Sequence, residues 1–489
     1  MERTDCPGCR QRDEVIAALR KQLAALEARV RDLEERLGRN SSNSSRPPSA
    51  DPPAAPAPVV KPPSGRKPGA QPGHPAALRQ RLPAERVQHV RRFVPTHCRH
   101  CQARLPAAAG PGDPEPSWHQ VAELQRYPVA VTEYQGHART CPGCGVVTRA
   151  AIPAALKAHS LGPRLAATLA FLTGRCHLSK RAVEEVVEAV CAVPVALGTV
   201  SRLEQELSQA LAAAHAEVAQ AVRQAPVKNA DETGWKQAGR LCWLWAAVTG
   251  TAALFVIHAR RGLGGLTALL GAPLAGVIGS DRWSAYGQLP LSQRQICWAH
   301  LRRDFRAMAE RGGSSARIGA DLLLLTAVVF DLWYQARDGP RTRRWLQRLL
   351  EEVRPDVVEV LRRGSRCRCA KTAATCREVL AVEAALWTFA SVEGVEPTNN
   401  AAERAVRPAV LWRKRSFGCH SEGGCRFVER LLTVVQTLRL QRRPVLDYLQ
   451  EAVAAHRAGL PTPKLLIVGR TLTSSLHSEP WFKKDMSPK

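Results

Sequence analysis

The stretch VKNADETGWKQAGRLCWLWAAVTGTAALFVIHARRGLGGLTALLGAPLAGVIGSDRW, residues 227–283, decides how this chain folds. Short runs rich in Val, Trp, Phe and Ile alternate with turn residues, and branched and aromatic side chains suit a pleated, half-buried surface. The spacing predicts strands over Val227–Asp231, Leu241–Val248 and Leu254–His258, a short helix over Gly265–Leu270, and a strand over Ala275–Gly279 that ends at Asp281. A further strand, Arg294–Trp298, precedes a basic helix from His300. Leu241–Ala259 carries no Asp, Glu, Lys or Arg over nineteen residues, long enough to cross a bilayer. Thr249-Gly250-Thr251 interrupts it, so it reads as two strands and a tight turn, with no membrane partner.

The order β-β-β-α-β, then α, is that of a ribonuclease-H-like core. Such a core sets one carboxylate on its central strand and a second at the end of the neighbouring fourth strand. Those positions fall to Asp231, in Ala-Asp-Glu-Thr-Gly-Trp, and Asp281, in Gly-Ser-Asp-Arg-Trp. Thr233-Gly234 predicts a turn just after Asp231, and Glu232 faces the opposite side if the strand is regular. A third acid, Glu403 in Asn-Asn-Ala-Ala-Glu-Arg, lies 122 residues beyond Asp281, so a folded insertion must bring it back. Residues 306–396 supply one: Asp321–Tyr334, Thr342–Val353 and Thr375–Phe389 each carry apolar stripes of helical period. Three gathered carboxylates can hold two Mg²⁺ (or Mn²⁺) ions about 4 Å apart over a phosphodiester. Each acid also has a plainer reading: a turn cap at Asp231, an N-cap for the Trp283–Tyr286 turn at Asp281, an intrahelical ion pair at Glu403.

Charge points to the polyanion. Lys and Arg number 70 against 43 Asp and Glu, a formal net charge of +27 in 489 residues. Such a field favours nucleic acid. Ten Lys/Arg against two Glu fall between Arg404 and Arg443, and Arg404, Arg407, Arg413, Lys414 and Arg415 are candidate phosphate contacts. Trp235 reads as core, with stacking on a frayed base as the alternative. Residues 155–223 turn helical; Ser179–Val190 and Gly198–Leu207 form a helix-turn-helix-like pair whose second helix, with Arg202, suits a major groove.

Upstream, Ile16, Leu19, Leu23, Leu26, Val30, Leu33 and Leu37 form a heptad seam, predicting a coiled coil over 13–38 that pairs two copies through residues 16–37. Residues 39–80 are a flexible basic Pro/Ser/Gly linker. Six of the fifteen cysteines fall in C-x-x-C pairs. Cys98/Cys101 and Cys141/Cys144 bracket alternating Tyr127, Val129, Val131 and Tyr134, predicting a zinc ribbon over 90–150 with structural Zn²⁺ on four thiolates. Cys6/Cys9 read as exposed thiols. The remaining scattered cysteines suit a reducing cytosol, and no secretory pattern opens the chain.

From about residue 15 to 450 the chain resembles the DDE transposases of bacterial insertion sequences, the IS-sixty-six group. The resemblance rests on the leucine heptads, Asn-Ser-Ser-Asn-Ser-Ser-Arg-Pro-Pro-Ser, Gly-Arg-Lys-Pro-Gly-Ala-Gln-Pro-Gly-His and the paired knuckles. It extends through Asp-Glu-Thr-Gly-Trp, Ser-Asp-Arg-Trp-Ser-Ala-Tyr, Cys-Trp-Ala-His-Leu-Arg-Arg-Asp-Phe and Asn-Asn-Ala-Ala-Glu-Arg-Ala-Val-Arg-Pro. It implies a multidomain α/β protein: a ribonuclease-H-like core in two parts, 224–305 and 397–450, split by the helical insertion 306–396, with a tail at 451–489. It also implies cut-and-join chemistry by Asp231, Asp281 and Glu403, DNA partners (element ends and target), possible accessory proteins, and a bacterial cytoplasmic, nucleoid-associated location. Thr398 stands where some members carry Asp, so it receives no metal role. A catalytically inactive DNA-binding relic and a ribonuclease-H-like nuclease are the competing readings.

Overall fold

The computed structural model describes residues 19–27, 29–30, 33–34, 81–108, 113, 117, 119–122, 129–140, 142, 144 and 146–466. Cys6, Cys9, Cys141 and the linker 39–80 lie outside the described residues. The chain forms two compact units, one taking residues 1–55, 133–189 and 193–489, the other 56–132 and 190–192.

The larger unit opens on α1, helical at residues 19–27, 29–30 and 33–34, where Leu19, Leu23, Leu26, Val30 and Leu33 are all exposed. Strands β1 (Ala138–Thr140) and β2 (Val147–Arg149) form an antiparallel hairpin. Helices α2 (Ala154–Lys157), α3 (Pro163–Gly174), α4 (Lys180–Cys191), α5 (Leu197–Ala210) and α6 (Ala212–Gln224) follow. Pro163 opens α3, where its fixed φ suits the first helical turn.

Five strands make the central sheet: β3 (Val227–Gln237), β4 (Arg240–Val248), β5 (Ala253–His258), β6 (Val277–Ser280) and β7 (Arg294–Ile296), with α7 (Leu263–Leu270) between β5 and β6. Their order is β5-β4-β3-β6-β7; β3–β4 and β4–β5 are antiparallel, β3–β6 and β6–β7 parallel. The expected turn at Thr233-Gly234 does not occur. Both residues stay in the ladder opposite Leu244 and Trp243, and the chain reverses at Ala238-Gly239, where φ is 48° and 77°. Two consecutive positive φ values match the twist of a tight hairpin. Nine in-register pairs from Asn229 to Gln237 outweigh the local turn preference of Thr-Gly. The uncharged stretch from Leu241 forms β4 and β5, and the Thr249 hydroxyl accepts the amides of Thr251 (3.3 Å) and Ala252 (3.0 Å) at their turn. Among the described residues no helix is long and apolar enough to cross a membrane.

Beyond β7 come α8 (Trp298–Ala309), α9 (Gly313–Asp338), α10 (Arg343–Ser365), α11 (Ala370–Ala381) and α12 (Thr388–Ser391). These helices bury Leu301, Phe305, Leu322, Leu346, Leu361 and Phe389 in a cluster that also takes in Val277 of β6 and Ile296 of β7. Gln295 of β7 fastens it to the sheet: its side chain accepts the Phe389 amide (2.7 Å) and donates to the Leu386 carbonyl (3.1 Å).

The chain then returns as α13 (Asn400–Ser416) and α14 (Glu422–Leu440), followed by α15 (Val445–Arg457). Helices α13 and α14 cover one sheet face, burying Trp235, Leu244, Ala246, Phe255, Ala402, Val406, Val428 and Leu432 together. Helix α14 also seals the sheet edge. The Ile257, Phe255 and Ala253 amides donate to Glu429 Oε1 (2.6 Å), Thr433 Oγ1 (3.0 Å) and Thr437 Oγ1 (3.1 Å). An unpaired edge invites foreign strands, and these side chains, one helical turn apart, occupy it. On its far side α14 meets α3 so closely that a Cβ on Gly174 would lie 2.0 Å from Leu431.

The expected C-terminal tail from 451 is structured as far as residue 466. Helix α15 runs to Arg457, Leu465 is fully buried, and Glu217 accepts the amides of Leu465 (3.2 Å) and Leu466 (3.3 Å). The apolar face Tyr448, Leu449, Ala452 and Val453 drives this docking.

In the smaller unit, Cys98 and Cys101 sit in a tight reversal closed by Cys98 N–H to the Ala103 carbonyl (2.9 Å) and Gln102 N–H to the Cys98 carbonyl (3.0 Å).

Candidate carboxylate site

Strand register brings the first two acids level. Asn229 of β3 pairs with Gly279 of β6 in parallel, so two residues on, Asp231 and Asp281 follow side by side. Neighbouring strands lie about 4.8 Å apart. Side chains alternate along β3, and Trp235 packs under α13, so Asp231 faces α13 as well. Glu232 points the other way, where it accepts Arg261 Nε (2.9 Å) and the Tyr286 hydroxyl (2.8 Å). That face is a structural network; on Asp231's face α13 packs over the sheet.

Glu403 lies in the first turn of α13, the helix packed on Asp231's face. The electrostatics tie the three together. Burial raises the Asp231 carboxyl well above its usual range, and the charges of Glu232, Glu403 and Asp281 raise it further. Glu403 is raised by burial and by Asp281, while Arg303 and Arg404 pull it down. The cluster thus carries more negative charge than its cations offset at Asp231. Hard oxygen donors in that condition suit Mg²⁺ or Mn²⁺. Asp281 Oδ1 also accepts the Trp283 amide (2.9 Å), so its turn-capping role coexists with the site.

Further groups surround Glu403. His300 Nδ1 lies 3.5 Å and Arg303 Nη2 3.9 Å from Glu403 Oε1. Burial, Arg303 and Arg282 push the His300 imidazole down to about 4, so it is neutral at pH 7, and its Nδ1 is buried without a hydrogen bond. Cys297, His300 and Glu403 place ligand atoms within 4.8 Å of one another. The Cys297 thiol is fully buried and pushed up to about 12, chiefly by burial, so it stays protonated and is a poor ligand beside the carboxylates.

A strap holds the return of the chain. The Trp298 amide donates to the Pro397 carbonyl (2.9 Å), the Asn399 amide to Cys297 Sγ (3.4 Å), and Asn399 Nδ2 to the carbonyl of Ala230, next to Asp231 (3.4 Å). Sequence reading alone does not single out Asn399, His300 or Arg303. The Cys297-x-x-His300 spacing at a helix start and the Asn pair before Glu403 are the available signals.

Of the candidate DNA contacts, Arg202, Arg404, Arg407, Lys414 and Arg415 are exposed. Arg202 projects from α5, whose opposite face buries Val200, Leu203 and Leu207. Arg413 differs: its Nη1 donates to Thr233 Oγ1 (3.2 Å) and the Gly234 carbonyl, tying α13 to β3. The absence of a Cβ at Gly234 admits it, since one there would lie 3.2 Å from the guanidinium. Trp235 is fully buried, edge-to-face on Trp412, and cannot stack on a base.

Of the predicted zinc ligands, Cys98, Cys101 and Cys144 are described. At Cys98, the Cys101 and His100 amides and the Cys101 thiol lower the thiol, which favours the thiolate a metal needs. The His100 amide lies 3.4 Å from Cys98 Sγ. Cys144 lies in the connection between β1 and β2 and is exposed.

Comparison with known proteins agrees with this architecture. The profile of a family of unknown function, DUF6444, matches residues 9–80. A curated relative, described only as uncharacterized protein y4qI of Sinorhizobium fredii (strain NBRC 101917 / NGR234), is 26% identical over 206 residues. The match covers 40% of this chain and spans only 38% of that protein. The profile of the Transposase IS66 family matches residues 159–426, from α3 through the sheet, the insertion and α13. More than half of the chain is matched, and it belongs to that family.

Proposed function

We propose that the protein is a DNA transposase that nicks element ends and joins the freed 3′-hydroxyl to target DNA. One observation carries this reading: Asp231, Asp281 and Glu403 come from three separate stretches of sequence, yet the charges of Glu403 and Asp281 both reach the Asp231 carboxyl and raise it. The order β5-β4-β3-β6-β7, antiparallel then parallel, supports a ribonuclease-H-like core in two parts, with the α9–α12 helices inserted before α13. Asp231, Asp281 and Glu403 would hold Mg²⁺ or Mn²⁺, which when bound supplies an activated attacking oxygen and charge neutralisation at the leaving one. The protein's own groups do the rest. Arg404 and Arg407, exposed on α13 beside Glu403, grip phosphates flanking the scissile bond. Arg303 offsets the charge of Glu403, and Asn399 fixes the start of α13 against β3.

The cysteine knuckles, holding structural Zn²⁺, and the α4–α5 pair with Arg202 would recognise element ends; α1 would pair two protomers so that two ends are handled together. These roles place the protein in the bacterial cytoplasm, on the nucleoid.

The test supplies pre-cut duplexes carrying the inverted repeats that flank the gene, with target DNA and Mg²⁺. Joined product is expected. Trimming without joining would make the protein a nuclease, and binding without any product an inactive relic.

A further inference from the structure

Away from the carboxylates, a cavity of about 290 Å³ opens between the end of α3 and the C-terminal ends of α13 and α14. Phe171, Leu411 and Cys176 line its walls; Arg175, His177, Arg415 and Arg439 supply its polar atoms. Three arginines therefore line one concavity, close enough for their charges to act on His177 and on one another. Arg415 and Arg439 stand in last helical turns, where a cation offsets the helix dipole. That explains one charge at each helix end, but neither their convergence with Arg175 nor the state of the inner groups. Arg175 Nε is buried with no hydrogen-bond partner, and the His177 ring nitrogens are buried with only a weak approach to the Gly174 backbone. An unmet buried donor costs about 1–3 kcal/mol, so a polar group bound here would relieve that cost.

The surroundings specify its charge. The principal charges acting on His177 are those of Arg175 and Arg415, and the strongest on Arg439 is that of Arg175; no carboxylate is among them. His177 is rigidly placed: its φ is +58°, and its ring lies 5.3 Å from that of Trp412, which in turn packs on Trp235 and Phe427. It is also pushed down to about 4, by burial first and then by the two arginines, so one ring nitrogen donates and the other accepts.

We propose that this pocket binds a single phosphate group of the DNA backbone, on Arg175, Arg415 and Arg439 with His177 at its floor. The proposal rests on the nucleic-acid reading above and adds a second anchoring point to it. Helix α13 sets the spacing. Arg415 follows Glu403 by twelve residues, about 18 Å along the helix axis. At about 3.4 Å per nucleotide, that is roughly five steps along a duplex from the bond at the carboxylates. One helix thus carries both the third acid and a register mark for the strand.

Salt-dependent binding of a short duplex tests it. Each phosphate neutralised contributes about 0.9 to the slope of log affinity against log salt. The variants are Arg415→Ala/Arg439→Ala, both at exposed positions, and the triple variant adding Arg175→Ala. If the three share one phosphate, the slope falls by about 0.9 at most, even in the triple variant, and affinity falls roughly 10- to 100-fold. Slope losses near about 1.8 and 2.7 would mean independent surface contacts and would overturn the pocket. So would unchanged slope and affinity in both variants while the unaltered protein binds DNA. Inorganic phosphate, titrated calorimetrically, separates free phosphate from backbone: saturable uptake with no variant effect on DNA binding assigns the pocket to the free ion and refutes the proposal. Should the unaltered protein show no salt-dependent DNA binding at all, the nucleic-acid reading itself fails, an outcome distinct from the pocket's own failure.

Discussion

Replacing Asp231 with an asparagine should make the metal-free protein more stable while abolishing its response to Mg²⁺. Asp231 lies on the same side as Asp281 and Glu403, and the principal charges acting on it, that of Glu232 on the opposite face included, are all negative. For any two like charges about 6–8 Å apart at an effective dielectric of about 20, the cost is about 2–3 kcal/mol before screening. Water reaches Asp281 and Glu403, so the gain expected from Asp231→Asn is on the order of 1–2 kcal/mol. Urea unfolding in a chelator reads that difference directly. The sign follows from linkage. A carboxyl raised in the folded state keeps its proton longer than in the unfolded chain, so its penalty is absent below the unfolded value near 3.8. The penalty grows as pH rises to the folded value and is complete above it. The variant's advantage should therefore vanish near pH ~4 and be present at neutral pH. Added Mg²⁺ at about 100 times its dissociation constant should stabilise the unaltered protein by about 2.7 kcal/mol and the variant hardly at all. A variant that is less stable in chelator at neutral pH, or equally stabilised by Mg²⁺, would refute the shared-site reasoning.

Other perturbations probe separate parts. Thr433→Val keeps the shape but orphans the Phe255 amide; a loss of about 1–3 kcal/mol and faster hydrogen exchange at that amide are expected. Unchanged exchange there would mean the α14 edge seal is not holding the strand. Glu232→Ala strands the Tyr286 hydroxyl and Arg261 and should cost about 2–4 kcal/mol, with Mg²⁺ titration unaffected, since that acid faces away from the site. Weakened Mg²⁺ uptake would instead draw Glu232 into the metal set. Cys98→Ser should release zinc measured by atomic absorption; unaltered zinc content would exclude that thiol as a ligand.

The sheet is legible in the sequence because its strands are short, apolar and separated by strong turn signals. Strands β4 and β5 lie within a residue of expectation at their ends, and the helix between β5 and β6 is visible from Gly265 onward. The error at Thr233-Gly234 shows what local reading lacks. A turn preference is a property of two residues, whereas the ladder from Asn229 to Gln237 draws on a partner strand that only the fold supplies. The alternation that separates Asp231 from Glu232 needs no tertiary knowledge, since period two alone assigns them to opposite faces. The neighbours of Glu403 are different. Nothing about His300 or Asn399 in isolation signals proximity to a carboxylate-bearing segment some hundred residues or more away, because those contacts are made by strand β7 and the insertion folding back. The docked segment 458–466 escapes sequence reading for a related reason: its anchors are a buried Leu465 and amides bonded to Glu217, with no periodic pattern to announce them.

The strap at Trp298, Pro397 and Asn399 means that the departing and returning chain meet at a single point, as the two jaws of a clasp do. Closing a loop costs only about 0.6 kcal/mol more for each doubling of its length. The span from α9 to α12, which leaves Trp298, His300 and Arg303 of α8 in place, is therefore a cassette whose size is nearly decoupled from the location of Glu403. Grafting a longer or shorter helical module between those jaws should leave the third acid where it stands, which gives both natural divergence and an engineer a place to add reach or specificity without disturbing the chemistry beside it.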